Sequence, residues 1–235
     1  MSDIARLLSN HQILITPEQA GQFDEYESLL VEWNKKMNLT AISDHDGIVV
    51  KHFYDSCTLA FDNRFASVHT LIDVGSGAGF PSLPLKIIRP DLKVTVVDSL
   101  NKRLIFLEAL VERLGLSEIK LVHARAEDAG HRQDLREQFD LATARAVARL
   151  NVLSEYCLPF VKKEGVFAAM KGPEAEEELN ESHPAIKQLG GIPEEINCTM
   201  LPFDNGKRNI IWIKKTKKTP KSFPRKVGVP ARHPL

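Results

Sequence analysis

Thr70-Leu71-Ile72-Asp73-Val74-Gly75-Ser76-Gly77-Ala78-Gly79-Phe80 holds the transition that decides the fold. Residues 70–74 read as a short buried strand, and the alternating glycines that follow read as a tight loop. Residues 83–88 then read as a helix. Outward from this unit the alternation continues. Strands are expected at Lys93–Asp98, Ile119–Val122, Phe139–Ala142 and Val166–Met170. Between them lie an amphipathic helix over 102–114, closed by Gly115, and a helix over 174–189. The latter is acidic in its first half, as the helix dipole prefers. Two late strands, near 196–201 and 209–214, flank Asn205-Gly206, a hairpin signal. Strand–helix alternation predicts an α/β fold, a doubly wound and mostly parallel sheet, and the terminal hairpin makes its last strand antiparallel.

The N-terminal residues follow another pattern. Thr16-Pro17-Glu18-Gln19 is a helix start, with Thr as cap, Pro at the first helical position and Gln three residues after the cap. Phe23, Tyr26, Leu30, Trp33 and Met37 recur at three- and four-residue steps on one face. A second helix is expected over about residues 47–60. The expected organisation is therefore a helical N-terminal region (1–65), an α/β domain (66–214) and a C-terminal tail (215–235). The whole chain has 235 residues, 43% apolar and 26% charged, a globular composition. No run approaches the roughly 18–20 apolar residues of a membrane span, and residues 1–10 do not resemble a secretory signal. Cys57, Cys157 and Cys198 are too scattered for a metal clamp, so no metal is expected, and reduced thiols fit a cytoplasmic protein.

The net charge of zero hides an asymmetry. Residues 214–235 carry six Lys, two Arg and no acid, which leaves 23 basic and 31 acidic residues in the body. Four prolines (Pro220, Pro224, Pro230, Pro234) keep this segment extended, and it cannot form a core of its own. A solvated end and a polyanion-binding arm are both consistent with the charge.

The glycine loop narrows the chemistry. A dinucleotide fingerprint, GxGxxG, would need a glycine where Phe80 stands. What remains, acid-x-GxGxG, resembles the loop of S-adenosylmethionine-dependent methyltransferases. Gly75, Gly77 and Gly79 would let backbone approach the ligand, and Asp73 would face its ammonium group. Asp98 ends the next strand, where a carboxylate can accept both ribose hydroxyls; otherwise it is a helix cap. Ala126 and Glu127, after the third strand, are the candidates for the adenine edge.

The fourth strand bears on the methyl acceptor. It runs into Ala142-Thr143-Ala144-Arg145-Ala146, without the Pro-Pro-aromatic loop of exocyclic-amine methyltransferases. Cys157 lies in Cys157-Leu158-Pro159, an unsuitable setting for a carbon-5 nucleophile. An acceptor with its own lone pair, such as guanine N7, fits this gap and needs no general base. Arg145 would then sit against a phosphate or the cofactor carboxylate.

Taken together, these residues resemble the small-subunit ribosomal RNA methyltransferase G family, also called glucose-inhibited division protein B. The resemblance spans nearly the whole chain. It includes Trp33-Asn34, Asn38-Leu39-Thr40, His52-Phe53-Tyr54-Asp55-Ser56, Asp73 to Pro84, Asp98-Ser99-Leu100, Lys102-Arg103, Ala126-Glu127, Ala144-Arg145-Ala146, Lys171-Gly172 and Phe223 to Leu235. Two positions depart from the family pattern: Ser82 replaces a usual Gly, and Phe223 a usual Tyr. The resemblance implies a class I, Rossmann-like fold and S-adenosylmethionine-dependent methylation of N7 of guanine 527 in the 530 loop of 16S rRNA. It places cofactor contacts on Gly75, Phe80, Ala126, Glu127 and Arg145.

The expected partner is 16S rRNA or a small-subunit particle, met by a monomer. Lys102, Arg103, Lys171, Arg225, Lys226 and Arg232 are the candidate RNA contacts. His52 and Asp55, three apart, share a face if the segment is helical. They are expected to tie the N-terminal helices to the sheet, the other reading being a substrate-side polar pair at the mouth of the cleft. A catalytically silent RNA-binding protein and a small-molecule methyltransferase are the alternatives; the intact loop with Asp98 disfavours the first, and the basic residues disfavour the second. The tail is expected to lie along RNA phosphates, so that deleting residues 214–235 spares cofactor binding, weakens RNA binding and flattens its salt dependence. The competing expectation is that Phe223 and the prolines pack on the sheet, so that stability and cofactor affinity fall together.

Overall fold

The computed structural model describes residues 2–235. Its one sheet contains β1 (Thr70–Val74), β2 (Lys93–Asp98), β3 (Ile119–His123), β4 (Phe139–Arg145), β5 (Val161–Lys171), β6 (Gly191–Met200) and β7 (Lys207–Lys215). Their order is β3-β2-β1-β4-β5-β7-β6. The pairs among β1 to β5 are parallel, and β7 runs antiparallel to both β5 and β6. This is the doubly wound sheet with a terminal hairpin that the alternation predicts. Strand order reverses at β1, between β2 and β4. The crevice beyond the carboxyl ends of these strands is where a sheet of this kind receives a ligand.

Helices cover both faces. They are α1 (Asp3–Ser9), α2 (Pro17–Met37), α3 (His45–Gly47), α4 (Asp55–Cys57), α5 (Ser82–Ile88), α6 (Asn101–Arg113), α7 (Ala126–Ala129), α8 (Leu150–Cys157), α9 (Ala175–Gln188) and α10 (Val229–Arg232). Successive strand residues point to opposite faces. Leu71, Val96 and Trp212 thus join Phe23, Tyr26, Leu30, Phe53 and Leu107 on one side. Ile72, Val97 and Ile213 join Leu153, Phe160 and Phe167 on the other. The expected capping box starts α2. Thr16 Oγ1 accepts from the Gln19 backbone N–H, and Gln19 Oε1 accepts from that of Thr16. Gln19 Nε2 then donates to the Ile87 carbonyl at 2.6 Å, tying α2 to α5.

Three local expectations need correction. The single helix expected over 47–60 is α3, a π-helical segment Ile48–Tyr54, α4 and a 3₁₀ turn Thr58–Phe61 in succession. The π segment is almost wholly buried, so packing on all sides governs it and not a 3.6-residue apolar stripe. The hairpin does not turn at Asn205-Gly206. It closes through a wider loop in which the Leu201 N–H donates to the Gly206 carbonyl, with Phe203 and Asp204 at positive φ. The same hairpin is also longer than expected, with β6 starting at Gly191, because an edge strand needs no continuous apolar run.

The tail is the third correction: it packs on the protein. Lys215 is fully buried, and its ammonium donates to Thr219 Oγ1 at 2.7 Å and to carbonyls of Leu158 and Val161. The Arg136 guanidinium donates to the Thr219 and Phe223 carbonyls. Arg225 grips Glu155, itself fully buried, through its backbone N–H, Nε and Nη2. The Gly228 N–H donates to Glu127 Oε1 at 2.9 Å. Removing one partner of a buried ion pair strands the other. Arg225→Ala should therefore cost about 2–4 kcal/mol of stability, read as a fall in Tm of several degrees. Deleting residues 216–235 should lower Tm and cofactor affinity together, as differential scanning calorimetry and titration calorimetry will show.

Candidate active site

A cleft of about 430 Å³ opens over the carboxyl ends of β1, β2, β3 and β4. Its walls bring together Gly75, Gly77, Phe80, Asp98, Ala126, Glu127 and Arg145 from the expected set. Asp73 and Gly79 do not line it. Leu39, Thr40, His52 and Tyr156 do, and none was singled out from sequence as a cofactor contact. Their approach is a matter of long-range packing, which no local pattern encodes.

The three glycines have different duties. All have positive φ. A Cβ on Gly79 would lie 2.5 Å from Tyr26 Oη and 2.9 Å from Leu83 Cδ1, so this glycine serves packing of α2 and α5 against the loop. A Cβ on Gly75 would meet Val147 at 2.9 Å. A Cβ on Gly77 would meet nothing within 4 Å. Gly77 therefore keeps the cleft side of the loop open, which is what close approach of a ligand requires.

The acids fit a nucleoside with a cationic amino-acid end. Asp98 is 2% exposed; it accepts from the Leu100 N–H at 2.9 Å, the Gly77 N–H at 3.3 Å and Arg103 Nη1 at 3.3 Å. It thus fastens the glycine loop and the entry to α6 while remaining on the cleft wall. Asp73 is fully buried beneath the loop and accepts from the Ser82 N–H at 3.2 Å. Its Oδ1 has no donor among the described residues, and burial pushes its carboxyl up to about 7. Glu127 lines the cleft with one oxygen held by the Gly228 N–H of the tail.

Arg145 ends β4 and organises the remaining wall. Its Nη1 donates to Asp55 Oδ2 at 2.8 Å and to the Lys51 carbonyl at 3.0 Å. Its Nη2 donates to His52 Nδ1 at 3.2 Å, and the guanidinium lies 5.0 Å from the centre of the Phe80 ring. Phe80 is stacked between Tyr26 and His52, at 5.4 and 4.5 Å. Because a guanidinium can only donate, His52 Nδ1 must accept, which places the proton on Nε2. Nε2–H then donates to Thr40 Oγ1 at 2.8 Å. Burial, with the Arg145 charge, lowers the His52 pKa to about 4. Burial raises the Asp55 carboxyl, opposed by Arg145 and Arg208.

The candidate RNA-binding cations separate into two groups. Arg103 is engaged by Asp98, Lys171 by Glu178 and the Ala148 carbonyl, and Arg225 by Glu155. Lys102, Lys226 and Arg232 remain exposed.

Known structures share this architecture. An O-methyltransferase from Bacillus cereus, in complex with SAH, superposes with a TM-score of 0.59 at 14% identity, over 92% of this chain and 98% of that one. A 16S rRNA (adenine(1408)-N(1))-methyltransferase from Catenulisporales acidiphilia gives 0.53 at 14% identity, over 67% and 89%. Fold and cleft together define a class I S-adenosylmethionine-dependent methyltransferase. The chain belongs to the rRNA small subunit methyltransferase G family, whose model matches residues 19–211. It is 55% identical over 228 residues to ribosomal RNA small subunit methyltransferase G of Bacillus velezensis, covering 97% of this chain and 95% of that protein. The corresponding figure for the Bacillus subtilis protein is 54%, with the same coverage.

The glycine geometry separates two variants. Gly77→Ala should abolish most cofactor binding while lowering stability by only about 1 kcal/mol, the strain of a side chain at positive φ. Gly79→Ala should destabilise the fold itself through its clash with Tyr26. Calorimetric affinity beside Tm resolves the pair.

His52 generates a pH prediction. The unfolded chain takes up a proton at this position near pH 6.5, which the folded chain refuses until about pH 4. Stability present above pH 6.5 is therefore lost as pH falls through that window, by an amount on the order of 2 kcal/mol. The stability–pH curve of His52→Gln should be flatter there than that of the natural chain.

Proposed function

We propose that this protein methylates N7 of a guanine in 16S rRNA, guanine 527 of the 530 loop, working as a monomer in the bacterial cytoplasm. The observation that carries the choice of atom is the state of His52. It is the histidine on the cleft wall, and its one lone pair is occupied by Arg145. It cannot take a proton from an acceptor. The buried thiols of Cys57 and Cys157 are both held well above the ordinary cysteine range, so neither is a ready nucleophile. An acceptor that keeps its own lone pair and loses no proton is consistent with both facts.

When bound, S-adenosylmethionine supplies a methyl group on sulfonium. The chain's part is then positioning. The loop at Gly77 and the Asp98 carboxylate would hold the nucleoside, and Glu127 would hold the adenine edge. Arg145 fits here without opposing the reaction, because Asp55 at 2.8 Å compensates its charge. A cationic methylated base therefore does not face a bare guanidinium. Relatives named as rRNA methyltransferases support rRNA as the polyanion. Of the candidate contacts, Lys102, Lys226 and Arg232 are the exposed ones and are assigned to phosphate. Incubation with labelled S-adenosylmethionine and small-subunit RNA should place label on one guanine. The product should undergo borohydride reduction and aniline scission there; a labelled but cleavage-resistant product returns the acceptor to an exocyclic or carbon position.

A further inference from the structure

Beyond Arg145 and Ala146 the cleft adjoins a second cavity of about 340 Å³. It lies where β4 and β5 end and β7 begins, bounded on the other side by the π-helical segment and α4. Ile42, Met170 and Ile210 give it apolar walls. Asp55 is the carboxylate among its lining residues, 3% exposed. The two oxygens of Asp55 differ. Oδ2 accepts from Arg145. Oδ1 is buried and has no hydrogen-bond donor among the described residues; Arg208 Nε stops at 3.7 Å. Buried acceptors are almost always satisfied, so an acceptor left over on the wall of a cavity points to a ligand that brings a donor.

We propose that this cavity receives the target guanine and that Asp55, through Oδ1, reads the N1–H and 2-amino donors of its Watson–Crick edge. A carboxylate is an acceptor only. Guanine is the standard base that presents two neighbouring N–H donors on that edge; adenine and cytosine each place a ring acceptor beside their amine. N7 lies on the other side of the purine, so gripping this edge leaves it free for the methyl group. Asp55 thereby becomes a specificity-determining residue, and its ion pair with Arg145 holds the reading oxygen in place. The inference rests on the guanine-N7 reading.

The test compares methyl transfer to small-subunit RNA carrying guanine, inosine or 2-aminopurine at the target position. Inosine lacks the 2-amino group, and 2-aminopurine has a ring acceptor at N1. The natural chain should lose about tenfold or more in kcat/KM on each analogue. In Asp55→Asn the amide oxygen would stay on Arg145 and the amide nitrogen take the place of Oδ1, turning acceptor into donor. That variant should lose at least tenfold on guanine and level or invert the preference for guanine over 2-aminopurine. An equal loss on all three substrates would mean that Asp55 only holds Arg145. Should the variant fail to fold, the natural chain decides: equal rates on all three bases overturn the inference. A guanine product that resists borohydride–aniline cleavage instead overturns the reading of the acceptor atom.

Discussion

A guanidinium at the end of a buried strand needs partners, and Arg145 obtains them from a segment that lies some ninety residues earlier in the chain. Asp55, the Lys51 carbonyl and His52 each take one of its donors, and the face of Phe80 lies against its plane. Removing any one would leave a charge partly unpaired in a low-dielectric wall. The consequence runs in both directions. The N-terminal helices are fastened to β4, and Phe80, at the end of the glycine loop, is clamped between Tyr26 and His52. The cofactor cleft and the cavity beside it share this cluster as their common wall.

The same logic recurs at the other end of the cleft. Glu127 faces the cleft from α7, yet one of its oxygens is held by the Gly228 N–H. Glu155 on α8 fastens Arg225. The basic C-terminal segment is thus a brace behind the Glu127 side of the cleft. Part of its charge is engaged by the body: Lys215 by carbonyls and Thr219, Arg225 by Glu155. A run of cations in sequence says nothing about which of them meet acids in space.

Much of the fold was legible because its signals are local. The Thr16 capping box, the strand–glycine–helix unit at 70–88 and the acid at Asp98 depend on neighbours within a few residues. The π-helical segment 48–54 was not legible, since burial on all sides erases the apolar stripe that marks a surface helix. Nor was the division of labour among Gly75, Gly77 and Gly79. All three share a positive φ, but only their surroundings separate a glycine that makes room for Tyr26 from one that makes room for a ligand.

The sequence by itself determined the order of the strands and of α2, α5, α6 and α9, the glycine loop and the resemblance to a family of rRNA methyltransferases, because backbone periodicity and short-range motifs carry that information. The tertiary structure alone decided the protonation state of His52, the Asp55 oxygen left without a hydrogen-bond donor among the described residues, and the attachment of the tail. Each of these is a property of charges and donors brought together from distant parts of the chain, where burial and not sequence spacing sets the energy.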